Sequence, residues 1–177
     1  VDRKVDNLLH HNLFFDEDFS AHVEEIYKKP SWPEKPLFYA CVPSRTDPSV
    51  VQEGKENIFI LIPVATGLEE SPELIDNYYD QVISRMEAFT GEKFRDDVIY
   101  KKSFSQKDFR SSYHSYKGNA YGLANTLMQT AILKPSLKNK KVRNLYYTGQ
   151  LTVPGPGVPP SLISGEVVAG QVIKDLS

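Results

Sequence analysis

Asn144-Leu-Tyr-Tyr-Thr-Gly-Gln-Leu-Thr-Val-Pro-Gly-Pro-Gly-Val-Pro-Pro-Ser-Leu-Ile-Ser-Gly-Glu-Val-Val-Ala-Gly170 is the stretch whose reading decides the architecture of this chain. It follows Val142 and divides into an apolar run expected as a strand over Val142–Gly149, a rigid turn, and a helix expected over Leu162–Leu176. Gly155 and Gly157 permit backbone angles and close approaches that a side chain forbids, while Pro154, Pro156, Pro159 and Pro160 stiffen the chain between them. Proline belongs in the first turn of a helix, so Pro159 or Pro160 with Ser161 marks the helix start. Ser164, Gly165, Ala169 and Gly170 keep part of that helix shallow. Free N–H groups at such a start favour negative charge. By spacing alone the run is a strand-turn-helix corner, with a ligand close to its backbone or with none.

Outward from this corner, the 177 residues suffice for one domain with a real core. A formal net charge of −2 leaves no basic footprint for nucleic acid. Lys138, Lys140, Lys141 and Arg143 cluster, but a short basic run between elements reads as a solvated loop. The single cysteine, Cys41, excludes an internal disulfide, and its apolar run marks it as a small core residue. The N-terminus lacks the apolar core of a signal peptide, and the longest apolar run, Ile58–Ala65, falls far short of the roughly 20 residues that span a bilayer. A soluble or peripheral protein is expected, read as a piece of a longer one.

Along the chain, Asp16-Glu-Asp-Phe-Ser20 opens a short amphipathic helix with Phe19, Val23, Ile26 and Tyr27 on one face, ended by Pro30. Leu37–Val42 and Asn57–Val64 read as strands that pair antiparallel across a polar connection of about 14 residues, the second apolar enough for burial on both faces. Ser71 as N-cap with Pro72 begins the clearest helix, whose broad face is Leu74, Ile75, Tyr78, Tyr79, Val82, Ile83, Met86 and Phe89 and which stops near Gly91. Val98–Phe104 is a further strand candidate. Ser105-Gln-Lys-Asp108 has the form of a capping box, and a short helix is expected at Leu123–Ile132. The sum is an α+β domain.

Motifs of several chemistries are absent: no Walker loop, no Cys/His zinc spacing, no nucleophile elbow and no Gly-x-Gly-x-x-Gly fingerprint. His10 and His11 are adjacent, so on a strand they face opposite ways, and no metal site is expected. A buried, hydrogen-bonded role suits them better. The pairs Glu24/Glu25, Glu69/Glu70 and Asp96/Asp97 read as solvated charges. Most of the 10 Tyr and 9 Phe should be core.

The C-terminal run nevertheless resembles a known signature. Asn144-Leu-Tyr-Tyr-Thr-Gly149, Thr152-Val-Pro-Gly-Pro-Gly-Val-Pro159 and Ser164-Gly-Glu-Val167 are similar to the C-terminal motif of bacterial-type phytoene desaturases, the FAD-dependent carotenoid desaturases. His10-His-Asn-Leu-Phe-Phe15, Pro43-Ser-Arg-Thr-Asp-Pro48, Glu56-Asn-Ile-Phe59 and Gly118-Asn-Ala-Tyr-Gly122 resemble blocks that occur in the same order in that family. The resemblance spans nearly the whole chain.

It implies an antiparallel substrate-domain sheet with flanking helices in residues 1–140. Residues 141–177 would be the last strand and helix of an FAD-binding, Rossmann-like domain, whose N-terminal ADP-binding region lies outside this chain. It implies FAD as cofactor, with Gly149 and Gln150 near its phosphate or ribityl region and Gly157, Val158, Pro159 and Leu162 facing the isoalloxazine. A helix start would there stabilise the negative charge that a reduced flavin develops at N1 and the C2 carbonyl. The implied substrate is a carotene, the electron acceptor oxygen or a quinone, and the location cytoplasmic with transient membrane contact. No catalytic acid or base is identified. Val153, where many members have His, and Gln150-Leu151, where many have Ala-Gly, depart from the pattern. An isomerase or saturase on the same scaffold, or a non-catalytic lipid-binding or interaction domain, are the alternatives.

Overall fold

Alternation along Phe38-Tyr-Ala-Cys41 fixes where the core lies. In the computed structural model, which describes residues 1–124, 126–130 and 133–177, strand β2 (Phe38–Cys41) buries Phe38 and Ala40 and leaves Tyr39 and Cys41 half-buried on its other face. It is the middle of a three-stranded antiparallel sheet in the order β1-β2-β3. Its partners are β1 (His11–Phe14), in register His11↔Cys41 and Leu13↔Tyr39, and β3 (Phe59–Leu61), in register Cys41↔Phe59 and Tyr39↔Leu61. The expected antiparallel pair is therefore present. Burial of β3 on both faces is not, because Phe59 points from the open face and is largely exposed.

The covered face packs on the longest helix of its unit. Helix α2 (Pro72–Thr90) starts where the sequence places it: Ser71 Oγ accepts from Leu74 N at 3.2 Å, and Gly91 closes it at φ 77°. Tyr78, Val82, Ile83 and Met86 are buried, and Val82, Ile83 and Met86 join Val5, Leu8, Phe14, Phe38, Ala40, Val42 and Phe94 in one core. Phe14 stacks on Phe38 with centroids 4.3 Å apart. Phe89, counted on the apolar face by periodicity, is exposed. Helix α3 (Gln106–Tyr113) carries the expected capping box, Asp108 accepting the Ser105 N–H at 2.8 Å.

Helix α1 (Phe19–Tyr27) forms behind Asp18, whose carboxylate accepts from Ser20 N at 2.8 Å. Its buried residue is His22, while Phe19 and Tyr27 are exposed. Leu37 N donates to His22 Nδ1 at 2.9 Å, so Nε2 carries the proton and donates to the Pro63 carbonyl at 2.8 Å. Glu56 is also enclosed, 1% exposed. Its carboxylate accepts from Val5 N at 2.8 Å, Arg45 Nη2 at 3.0 Å and Ser44 Oγ at 3.2 Å, tying the N-terminal segment to the turns around β2 and β3. Val98–Phe104 is not a strand, and Ile99, Tyr100 and Phe104 are exposed.

These elements belong to one unit, Val1–Gly118; a second comprises Asn119–Ser177. In the second, the expected strand Val142–Gly149 is replaced by a hairpin-like turn with a single bridge, Lys138↔Tyr146, supported by Tyr147 N to Leu137 O at 2.8 Å and Asn139 N to Leu145 O at 2.9 Å. Of the helix expected at Leu123–Ile132, the described residues form only a 3-10 turn, Leu127–Gln129; Asn125, Ala131 and Ile132 lie outside the described residues. Helix α4 (Val158–Leu176) begins one turn before Leu162. Its end is fastened to the turn by Asp175, which accepts from Lys138, from Tyr146, and from Gln171 Nε2 at 2.8 Å. Four α-helices and one antiparallel sheet among the described residues make the fold α+β.

Candidate functional site

The first turn of α4 is built by subtraction. Gly157, at φ 111°, caps it without a side-chain bond, and Pro159 and Pro160 carry no N–H. Ser161 N is spent on the Gly157 carbonyl at 3.0 Å. Val158 is thus the residue of that turn left with an N–H to offer, fewer than the sequence suggested, although the positive end of the helix dipole remains. Val158 and Leu162, one turn apart on one face, are 75% and 72% exposed. They form an apolar shelf with Pro159 beside them.

Ser164 explains the shallow face. It is fully buried, and its hydroxyl lies 2.7 Å from Thr148 Oγ1, from Gly149 N and from the Ser161 carbonyl. Gly149 is thereby held against the second turn of α4. Thr152, also buried, donates to the Gly149 carbonyl at 2.9 Å. Gln150 is half-buried and turns its amide to the Ala120 carbonyl at 3.2 Å. Of the residues the sequence singled out, Gly157, Val158, Pro159 and Leu162 form one continuous surface and Gly149 is bonded to the same helix. Gln150 is engaged elsewhere.

Sequence reasoning missed Lys134. It is 92% buried, and its Nζ has no hydrogen-bond partner among the described residues. A side chain on Gly155, itself at φ 139°, would sit 3.4 Å from Lys134 Cε and 3.7 Å from Nζ. The signal was a lone cation closing the apolar run Ala131-Ile-Leu133 just before Pro135. An uncompensated ammonium in an enclosed place is costly unless an anion meets it. Gly155 stands three residues before the first turn of α4 in the chain, so the cation adjoins the loop that leads into that helix start, and such a cation suits an anionic group.

Two concavities among the described residues lie elsewhere. They are open, polar depressions of about 270 and 300 Å³ in the first unit, lined by Glu70, Ser71, Ser105 and Lys107 among others. Glu70 is no free surface charge there, since it accepts from Ser105 Oγ at 2.6 Å. Asp97 likewise pairs with Arg3 at 2.7 Å.

The histidines also depart from expectation. The buried one is His22, whereas His11 is exposed and His10 half-buried. Strand alternation does not part His10 from His11, because β1 begins only at His11; their rings lie 4.2 Å apart. Cys41 is not a core residue either, since Ala40 takes the inward position and the thiol shares the open face with His11 and Tyr39. A hydrogen bond donated by the Tyr39 phenol to the Cys41 sulfur holds the phenol above its ordinary range.

No family model matches the chain. Curated proteins do. It is 42% identical over all 177 residues to the carotenoid 3,4-desaturase of Haloarcula japonica, and 33% identical over 181 residues, 97% of the chain, to the 4,4'-diapophytoene desaturase (4,4'-diaponeurosporene-forming) of Staphylococcus aureus. In each case it spans 36% of the relative's length. The chain thus belongs to the family of phytoene desaturase-like carotenoid desaturases, of which it matches the C-terminal portion.

Proposed function

We propose that the chain is the flavin-ring half of an FAD-dependent oxidoreductase that desaturates carbon–carbon single bonds of a carotene. Residues 1–140 would serve substrate binding, and 141–177 would supply the closing turn and helix of a Rossmann-like FAD domain. The carrying observation is the enclosed ammonium of Lys134, without a hydrogen-bond partner among the described residues, beside Gly155 in the loop that leads into α4. The relatives' printed activities, carotenoid 3,4-desaturation and diapophytoene desaturation, supply the substrate class.

FAD, when bound, would supply the two-electron acceptor for the hydride lost from an allylic carbon, with a proton lost from its neighbour. The chain's own residues orient and shield. Val158, Pro159 and Leu162 would support one face of the ring, with Gly157 allowing close approach. Lys134 and the Val158 N–H would hold negative charge, and Ser164 keeps Gly149 in place near the ribityl or phosphate region. Fixed charges of this kind act without the reorganisation that water requires. Exposed Leu13 and Phe59, on the open face of the sheet, suit a hydrocarbon chain.

No helix among the described residues is long and apolar enough to cross a membrane, and a carotene is insoluble in water, so the proposed encounter is peripheral. Oxygen or a quinone would reoxidise the flavin. The test is incubation of the full-length, FAD-loaded polypeptide that carries this chain with liposomes containing candidate carotenes. Desaturation moves absorption to longer wavelength, because each new double bond extends conjugation. An unchanged chromophore length with altered geometry would indicate an isomerase instead, and loss of long-wavelength absorption a saturase.

A further inference from the structure

We propose that His10, His11 and Cys41 form a binding site for a borderline-soft divalent metal ion of the zinc class. One nitrogen from each imidazole and the Cys41 sulfur all lie within 4.8 Å of one another. The sheet puts them there. His11 and Cys41 are direct cross-strand partners on the open face, a relation that sets Cβ atoms about 4.5–5.5 Å apart. His10 approaches from the turn before β1, its carbonyl accepting from Val42 N at 2.8 Å.

Both rings are already oriented. Thr46 Oγ1 lies 2.6 Å from His10 Nδ1, and Tyr39 OH lies 2.6 Å from His11 Nδ1. Thr46 Oγ1 also reaches the Pro43 carbonyl at 3.4 Å, and in the tautomer in which it accepts from His10 Nδ1 the ring's lone pair is on Nε2. A hydroxyl fixing one ring nitrogen while the other faces the ion is the usual outer support of a metal-binding histidine.

Two imidazoles and a thiolate with no carboxylate select against magnesium and calcium and suit zinc or its mimics. With bonds of about 2.0–2.1 Å to nitrogen and 2.3 Å to sulfur, tetrahedral ligand atoms stand about 3.4–3.6 Å apart. Small side-chain rotations close the difference. Binding displaces the Cys41 thiol proton to solvent, and the exposure of His11 leaves a fourth position for water.

The test uses Co2+ as a spectroscopic stand-in, titrated into the 177-residue chain with far-UV circular dichroism as the control for folding. One equivalent should produce a thiolate-to-cobalt charge-transfer band, displaced by Zn2+. Cys41→Ser should abolish the band, and Cys41, as the chain's single cysteine, should lose reactivity to alkylation when Zn2+ is added. His10→Ala and His11→Ala should each weaken binding about tenfold or more. Absence of the band in the folded chain, or its persistence in the doubly substituted His10→Ala/His11→Ala chain, would overturn the assignment. Neither readout depends on flavin or carotene.

Discussion

Glu56→Ala should remove a large part of the stability of the first unit. The wild-type side chain is fully enclosed, and its two oxygens serve the Val5 N–H, the Ser44 hydroxyl and the Arg45 guanidinium, with Lys4 at 3.7 Å. Arg45 is only 25% exposed, and its Nε already lacks a partner. Truncation leaves the buried Val5 N–H without its acceptor and Arg45 without its carboxylate, keeping only the Val5 carbonyl, and removing one member of such a pair costs about 3–5 kcal/mol. The exposure of Arg45 and Lys4 favours the lower end. Trp32, whose ring is 5.4 Å from that of Tyr78, is the only tryptophan and reports on this unit. With a urea slope of about 1.5 kcal/mol/M, the fluorescence midpoint should fall by about 2–3 M. Glu56→Gln, which keeps an acceptor but loses the charge, should lie between. A midpoint within about 0.5 M of wild type for the alanine variant would refute the buried-carboxylate reasoning.

His22→Phe should cost about 1–3 kcal/mol in the same urea assay, because the Leu37 N–H and the Pro63 carbonyl both lose their partner; an unchanged midpoint contradicts this. Gly118→Ala should be far worse than Gly54→Ala. Both sit at positive φ, with strain of about 1–2 kcal/mol, but a Cβ at 118 would lie 2.6 Å from the Gln106 carbonyl oxygen while one at 54 meets nothing. Equal melting temperatures for the two variants would count against the structure around α3. Asp175 is held down to about 2 from 3.8, chiefly by Lys138, then by Tyr146 and Gln171. Its contribution to stability is therefore complete above 3.8 and is lost as pH falls towards 2. Carboxyl NMR should give that midpoint, and Lys138→Met should raise it towards 3.8; no movement would exclude the contact.

Legibility in the sequence followed the range of the forces involved. Helix α2 was readable because Ser71-Pro72 and Gly91 act within a turn of the residues they cap. Ser105 and Asp108 announced α3 for the same reason. Strands β2 and β3 were readable as apolar runs, and their pairing followed from the connection between them. Val98–Phe104 and Val142–Gly149 also carry β-branched and aromatic residues but find no partner strand among the described residues, and a strand is made by its partner.

Burial of polar groups was the least readable. Nothing local distinguishes His22 from His11, or Lys134 from the lysines at 138–141; the distinction comes from contacts such as Leu37 N and Pro63 O. At the candidate site the glycines and prolines of 149–160 were visible as a stiff corner, whereas the ammonium that gives the corner a charge was not. The seam formed by Ser164 lay between these extremes. Its smallness was legible, and its three hydrogen bonds were not.

The proposed role of Lys134 and the start of α4 is to hold the flavin. Its most direct test is FAD binding by the full-length polypeptide carrying Lys134→Met, measured by retained flavin absorbance and by titration of the apoprotein, beside a melt of the 177-residue chain with the same substitution. FAD affinity should fall about tenfold or more, as expected for loss of a charge-assisted contact of about 1.5–3 kcal/mol, while the 177-residue chain should melt no lower than wild type because an uncompensated buried charge has gone. Unchanged FAD affinity, with the chain folded, would contradict it.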